Sequence, residues 1–178
     1  MSSEREKYQA VWERPEYRIR SHSLELWESH RHLFPKFESA LDIGCGLGRL
    51  MQEWDSLGID AWGVDITRNF LEAEYEKFIE ANLWELDLGR RFDFGICTDV
   101  MEHIPPEYVE EVLKRILAHC DTTIFSIANS SSVCIGHDLH LTRQPLDWWV
   151  STLESVGPKP EILAVNNPRQ NVYHLRWG

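Results

Sequence analysis

Short runs of β-branched and apolar residues alternate along this chain with stretches whose apolar positions recur every three or four residues. The short runs predict strands at Ala40–Ile43, Ala61–Val64, Lys77–Glu80, Asp93–Thr98, Thr122–Ile127, Glu161–Val165 and Asn171–Trp177. Strands separated by helical stretches are the signature of a parallel α/β sheet. The clearest helix follows Pro105-Pro106, since proline is tolerated in a first turn. There Val109, Val112, Leu113, Ile116 and Leu117 form one apolar stripe, with Glu110/Lys114 and Glu111/Arg115 paired at i,i+4 on the other face. A second helix is predicted to begin near Arg49. Residues 1–38 read as one or two helices, broken near Pro15 and ended near Pro35. The chain therefore divides into an N-terminal helical segment, 1–38, and an α/β domain, 39–178. The segment has no strand of its own, so it is expected to lie across the domain, as a lid over a pocket or as cover for a sheet edge.

At 178 residues, 43% hydrophobic and 26% charged, the chain has the composition of a folded globular protein with one main core. No apolar run approaches the ~20 residues of a membrane helix, and the charged N-terminus carries no secretory signal. The formal net charge is −11, and all of it falls after residue 38. That average field repels polyanions, so nucleic acid is a disfavoured partner. Cys45, Cys97, Cys120 and Cys134 lack zinc-like spacing and are expected to be free thiols in a cytoplasmic protein. Eight tryptophans mark core or pocket walls. In Asp147-Trp148-Trp149, neighbours ~100° apart on a helix place one tryptophan in the core and the other toward pocket or solvent.

The segment Ala40–Arg49 carries the most information. An apolar strand runs into Gly44-Cys45-Gly46-Leu47-Gly48, and glycines there let backbone N–H groups approach a ligand without a Cβ in the way. A dinucleotide site would read GxGxxG with a pyrophosphate at the helix N-terminus. Here the third glycine comes one position early and Arg49 stands where that pattern has glycine. Asp42, two residues before Gly44, would repel a diphosphate and attract a cation. Asp65 ends the second strand, where a Rossmann-type site places an acid on a ribose. A carboxylate for a cation and another for a ribose together describe S-adenosylmethionine.

On these residues the chain resembles the class I S-adenosylmethionine-dependent methyltransferases over roughly residues 39–177. The matching motifs are Leu41-Asp42-Ile43-Gly44-Cys45-Gly46-Leu47-Gly48, Gly63-Val64-Asp65-Ile66, and Phe92 to Pro105 with Val100-Met101-Glu102-His103-Ile104 at its centre. The resemblance implies a Rossmann-like, doubly wound sheet of seven strands in the order 3-2-1-4-5-7-6, with one strand antiparallel. It implies that Asp42, Gly44, Cys45 and Gly46 hold the methionine portion of the cofactor and that Asp65 binds the ribose. Ile66 would lie against the adenine, with Leu83 offering a backbone N–H and Asn82 standing where the family has an acid. Thr98, at the end of the fourth strand, joins this set. An N-terminal arginine would pair the cofactor carboxylate, Arg18 first and Arg20 as its rival.

The same resemblance implies transfer of a methyl group to an oxygen or nitrogen of a small molecule. A hydroxyl acceptor needs its proton removed, and Glu102, His103 and His137 are the candidate catalytic residues. Alternatively the Glu-His pair caps its loop. His137 lies five positions before Thr142, a candidate N-cap for the next helix. Asp99, Glu102, His103 and His137 also resemble the metal-holding set of small-RNA 2′-O-methyltransferases, and a metal-free site is the reading adopted. A non-catalytic cofactor-binding subunit and a nicotinamide-dependent dehydrogenase are the competing readings.

Overall fold

The structure is a computed structural model that describes residues 4–68, 76–163 and 172–178. Seven strands form the central sheet: β1 (Ser39–Ile43), β2 (Asp60–Asp65), β3 (Phe78–Glu80), β4 (Phe92–Thr98), β5 (Cys120–Ala128), β8 (Glu161–Ile162) and β9 (Val172–Trp177). Two further short strands, β6 (Val133–Cys134) and β7 (His137–Asp138), pair only with each other. The sheet order is β3-β2-β1-β4-β5-β9-β8, with β9 antiparallel to both of its neighbours. Leaving out the β6–β7 hairpin, this is the doubly wound, Rossmann-like order that the resemblance implies. The expected strands at 161–165 and 171–177 extend at Val165 and Asn171 outside the described residues.

Among the described residues five α-helices surround the sheet: α1 (Glu4–Trp12), α2 (His22–His30), α3 (Arg49–Ser56), α4 (Val109–His119) and α5 (Leu146–Val156). Strand alternation sorts side chains to two faces. From β1, Leu41 and Ile43 enter the core shared with α4 and α5, whereas Ala40 enters the core shared with α2 and α3. Asp42 falls on that second face, beneath α2. The stripe Val109, Val112, Leu113 and Ile116 of α4 is buried, and both i,i+4 pairs form on its outer face. In α5, Trp149 is fully buried and Trp148 half-buried, as the ~100° spacing requires.

The N-terminal segment is not uniform. Leu26 and Trp27 of α2 are core residues, and Trp27 packs edge-on to Trp54 of α3 with ring centroids 5.9 Å apart. This helix covers a sheet face. Tyr8 and Trp12 of α1, Tyr17 of the turn after it, and His22 and Ser23 at the start of α2 line the cavity described below, while Leu26 and Trp27 pack with α3.

Candidate active site

The loop after β1 is organised by backbone bonds to the end of β2. Gly44 N and Cys45 N both donate to Val64 O, at 2.8 and 3.1 Å. Gly44 has φ +75°, and a Cβ there would stand 2.2 Å from Val100 Cγ2. Gly46 has φ +52°, and its missing Cβ would stand 2.9 Å from the Trp12 ring of α1. Both positions thus combine a left-handed backbone with a close neighbour, which glycine alone accommodates without strain. Asp65 holds the loop from below: Oδ2 accepts Gly46 N at 2.9 Å and Oδ1 accepts Thr67 N at 3.4 Å. Burial pushes its pKa up to about 6, partly offset by these N–H groups.

Asp42 is fully buried beneath the same loop, and among the described residues Ser23 Oγ of α2, at 3.4 Å, donates to it. Its Oδ1 has no partner. Burial raises its pKa from 3.8 to about 8. A carboxyl with a raised folded-state pKa contributes stability that is fully present below its unfolded pKa and lost as pH rises through the folded value. The window here runs from about pH 4 to about pH 8. Asp42→Asn keeps the Ser23 contact and removes the titration. The variant is therefore expected to be more stable than the wild type in the absence of ligand at pH 8, by a few kcal/mol, with the gap narrowing toward pH 5. Thermal denaturation across that range checks this, and a gap that does not grow with pH rejects a neutral buried Asp42.

A cavity of about 460 Å³ opens along the carboxyl ends of the strands, ordinary in size for a small-ligand site. Of the residues expected on a cofactor, Gly44, Cys45, Gly46, Asp65 and Ile66 line its one end. Asn82, Leu83 and Thr98 line it as well. Tyr8, Trp12 and Tyr17 form its N-terminal wall. Asp42 does not reach the cavity and lies under its floor. Arg18 is also outside: its guanidinium donates to Glu13 O and its carbonyl accepts from Arg49. Arg20, the rival, lines the cavity and forms an ion pair with Glu25.

The other end is built by the turn after β4. Asp99 takes a left-handed conformation, φ 52°, and forms an ion pair with His22 at the start of α2. Burial alone would raise the Asp99 pKa, but the hydrogen bond and charge of His22 outweigh it and hold it below the usual carboxylate range. The hydrogen bond to Asp99 in turn raises the pKa of His22. Glu102 is fully buried, and its Oε1 accepts Ala128 N at 2.9 Å. Burial, reinforced by the Asp99 charge, drives its pKa well up. His103 lines the cavity and shares a 2.9 Å hydrogen bond between its Nδ1 and the Tyr8 hydroxyl. Burial first, then the neighbouring His140, pushes its pKa down to about 3. A group this weakly basic is a poor proton acceptor at neutral pH. His103 instead anchors the α1 tyrosine.

His137 is displaced from its expected position. The β6–β7 hairpin turns at Ile135 and Gly136, both at positive φ, and leaves His137 exposed on the second strand, off the cavity. Three residues on, the chain returns inward and His140 stands edge-to-face with His103, ring centroids 4.7 Å apart. Glu102, His103 and His140 bring potential ligand atoms within 4.8 Å of one another, so the grouping expected around His137 forms around His140. Thr142 is not an N-cap. Pro145 precedes α5, and the Thr142 hydroxyl donates to Ile104 O at 2.7 Å. The sequence signal for His140 was present in the same Gly136–Arg143 string. No pattern pointed to the His22–Asp99 pair.

Sheet order, glycine loop and an acid at the end of β2 define a class I S-adenosylmethionine-dependent methyltransferase. The model of a methyltransferase-domain family matches residues 11–161, and the chain belongs to that family. A ubiquinone biosynthesis O-methyltransferase from Paraburkholderia phymatum is 30% identical over 128 residues, 65% of this chain and 54% of the relative. A Methylococcus capsulatus protein of the same name is 27% identical over 120 residues, 61% of this chain and 50% of the relative. The chain spans about half the length of these relatives. Among solved structures, a Burkholderia thailandensis 1,6-didemethyltoxoflavin-N1-methyltransferase with bound S-adenosylhomocysteine superposes with a TM-score of 0.73 at 18% identity. That match covers 97% of this chain and 84% of the other. Magnesium protoporphyrin IX methyltransferase from Synechocystis, with S-adenosylmethionine bound, gives 0.61 at 19% identity, covering 87% and 76%. Among the described residues no helix is long and apolar enough to cross a membrane.

Proposed function

We propose that the protein transfers the methyl group of S-adenosylmethionine to an oxygen or nitrogen of a small molecule. The observation that carries this is one continuous cavity, running from the Gly44–Gly46 loop and Asp65 past Thr98 to His103. The fit to the cofactor rests on features of the chain itself. The two glycines keep Cβ atoms out of the cradle, and the Asp65 carboxylate suits ribose hydroxyls. Asp42 holds an unpartnered oxygen beneath the loop, where a nearby cation would favour its charged form. Ile66, Asn82 and Leu83 are assigned to the adenine and Thr98 to the methionine portion, with Arg20 in place of Arg18 at the carboxylate end.

The bound cofactor supplies a methyl on a sulfonium, which needs alignment more than covalent help. The chain's contribution is to orient the acceptor, exclude water and hold protons in place. Tyr8 and Trp12 roof the cavity, so α1 acts as its lid, and the neutral His103 fixes Tyr8 there. Glu102 tethers the loop after β4 to β5 through Ala128 N. The net charge of −11 supports a small acceptor over a nucleic acid. The relatives' printed names support the same class. Free cysteines, three of them buried, support a reducing, cytoplasmic setting.

Calorimetry is the first test, with S-adenosylhomocysteine expected to bind and NAD not. Production of S-adenosylhomocysteine across a panel of small phenols and amines is the second, and chelator is expected to leave the rate unchanged. Preference for NAD overturns the cofactor assignment. Inhibition by chelator, reversed by added magnesium or manganese, overturns the metal-free reading.

A further inference from the structure

The far end of the cavity is closed by the segment after β7, and that segment is pinned on all sides. Leu139 N donates to Ser132 O at 2.7 Å. His140 N donates to Asp138 Oδ1 at 3.2 Å, and Asp138 is itself held by Arg143 at 2.7 Å. Thr142 N reaches Glu102 O at 2.9 Å, and its hydroxyl reaches Ile104 O. These bonds fix the backbone on both sides of His140, whose side chain is buried yet lines the cavity.

The ring is oriented as well. His140 Nδ1 lies 2.5 Å from Ser130 O. A carbonyl oxygen only accepts, so Nδ1 carries the proton, and in a neutral imidazole Nε2 is then the lone-pair nitrogen. His103, edge-to-face with His140, is engaged at Nδ1 by Tyr8. Glu102 packs behind, with Oε1 on Ala128 N. His140 is thus the histidine of this cluster with its tautomer set for accepting a proton.

We propose that His140, oriented by Ser130 O at the cavity wall, is the general base of the reaction, taking the proton of a hydroxyl on the methyl acceptor. The inference rests on the methyltransferase reading and narrows its oxygen-or-nitrogen choice. The O–H bond breaks with its electron pair left on oxygen, and an Nε2–H bond forms, making the ring an imidazolium. The oxygen pair forms the new O–CH₃ bond, the pair of the broken S–CH₃ bond stays on sulfur, and His140 afterwards returns its proton to water. A neutral amine attacks with its own lone pair and needs no such group beforehand.

The test uses 4-nitrophenol, whose visible absorbance reports ionisation, bound to the protein saturated with S-adenosylhomocysteine. Below the probe's own pKa, the bound phenolate-to-phenol ratio is expected to rise at least about tenfold over solution, equivalent to one pKa unit. His140→Gln is expected to return the ratio to its solution value while retaining S-adenosylhomocysteine affinity. Equal ratios in wild type and variant, or no binding of the probe, overturn the proposal. Nitrogen NMR of wild-type His140 gives a readout independent of the variant's folding. The Nδ1–H tautomer is expected without probe and a doubly protonated ring with it, and an Nε2–H tautomer overturns the assignment. Calorimetry on the same samples separates the two levels. Bound S-adenosylhomocysteine with an un-ionised probe counts against His140 alone, whereas absence of S-adenosylhomocysteine binding counts against the methyltransferase reading.

Discussion

Gly46→Val is expected to abolish S-adenosylhomocysteine binding, by a hundredfold or more, in a protein that still folds. Two effects act at once. The backbone at this position has φ +52°, where a β-branched residue is strained by about 1–2 kcal/mol. The new Cβ also lands 2.9 Å from the Trp12 ring, so the roof of the cavity and the loop beneath it cannot both keep their places. A hundredfold loss corresponds to about 2.8 kcal/mol, within reach of a loop pushed out of register with its ligand. The fold survives because Gly46 lies on the cavity wall and not in either core, and a cost of this size is smaller than the ~5–15 kcal/mol of a typical domain. A companion variant separates the two effects. In a Trp12→Ala background the collision is removed but the backbone strain stays, so binding should recover only in part. Full recovery would mean that the loop tolerates a side chain and that Trp12 alone does the blocking. Normal binding by Gly46→Val itself would make the loop a structural turn and remove the main support for the cofactor assignment.

The central strands β1, β2, β4 and β5 were legible in the sequence because they are largely buried and stand out as apolar runs between turn residues. Asp42 and Asp65 were legible for the opposite reason, as acids at the ends of apolar strands where a core has no use for charge. What escaped was set by the path of irregular chain. The β6–β7 hairpin has strands of two residues each, too short to show a period, and its turn carries His137 outward while His140 comes in. Spacing to Thr142 selected His137, yet Thr142 spends its hydroxyl on Ile104 O rather than on a helix start. The N-terminal segment shows the same limit. Residues 1–38 read as one segment, a lid or a sheet cover, because a helix that packs on a sheet and one that roofs a cavity can share one amphipathic pattern. Only the tertiary contacts of Trp27 with Trp54 and of Trp12 with Gly46 tell α2 from α1.

Asp65→Ala should weaken S-adenosylhomocysteine binding by at least about tenfold, since a hydrogen bond to a charged group is worth roughly 1.5–3 kcal/mol and ~1.4 kcal/mol is a factor of ten. The structure adds a second loss. Both carboxylate oxygens already hold backbone, Gly46 N on one and Thr67 N on the other, so removing them also frees the loop that forms the cradle. The pKa of about 6 provides a further signature. If the ionised carboxylate is the form that accepts ribose hydroxyls, affinity holds above pH 6 and falls as the carboxyl protonates below it. Asp65→Asn carries no titrating group here, so its affinity, lower throughout, should lose that component of the pH dependence. Calorimetry of the three proteins between pH 5 and 8 reads both effects. Unchanged affinity in a folded Asp65→Ala would leave the ribose without its assigned acceptor. A wild-type profile parallel to that of Asp65→Asn would show that the carboxyl's charge plays no part in binding.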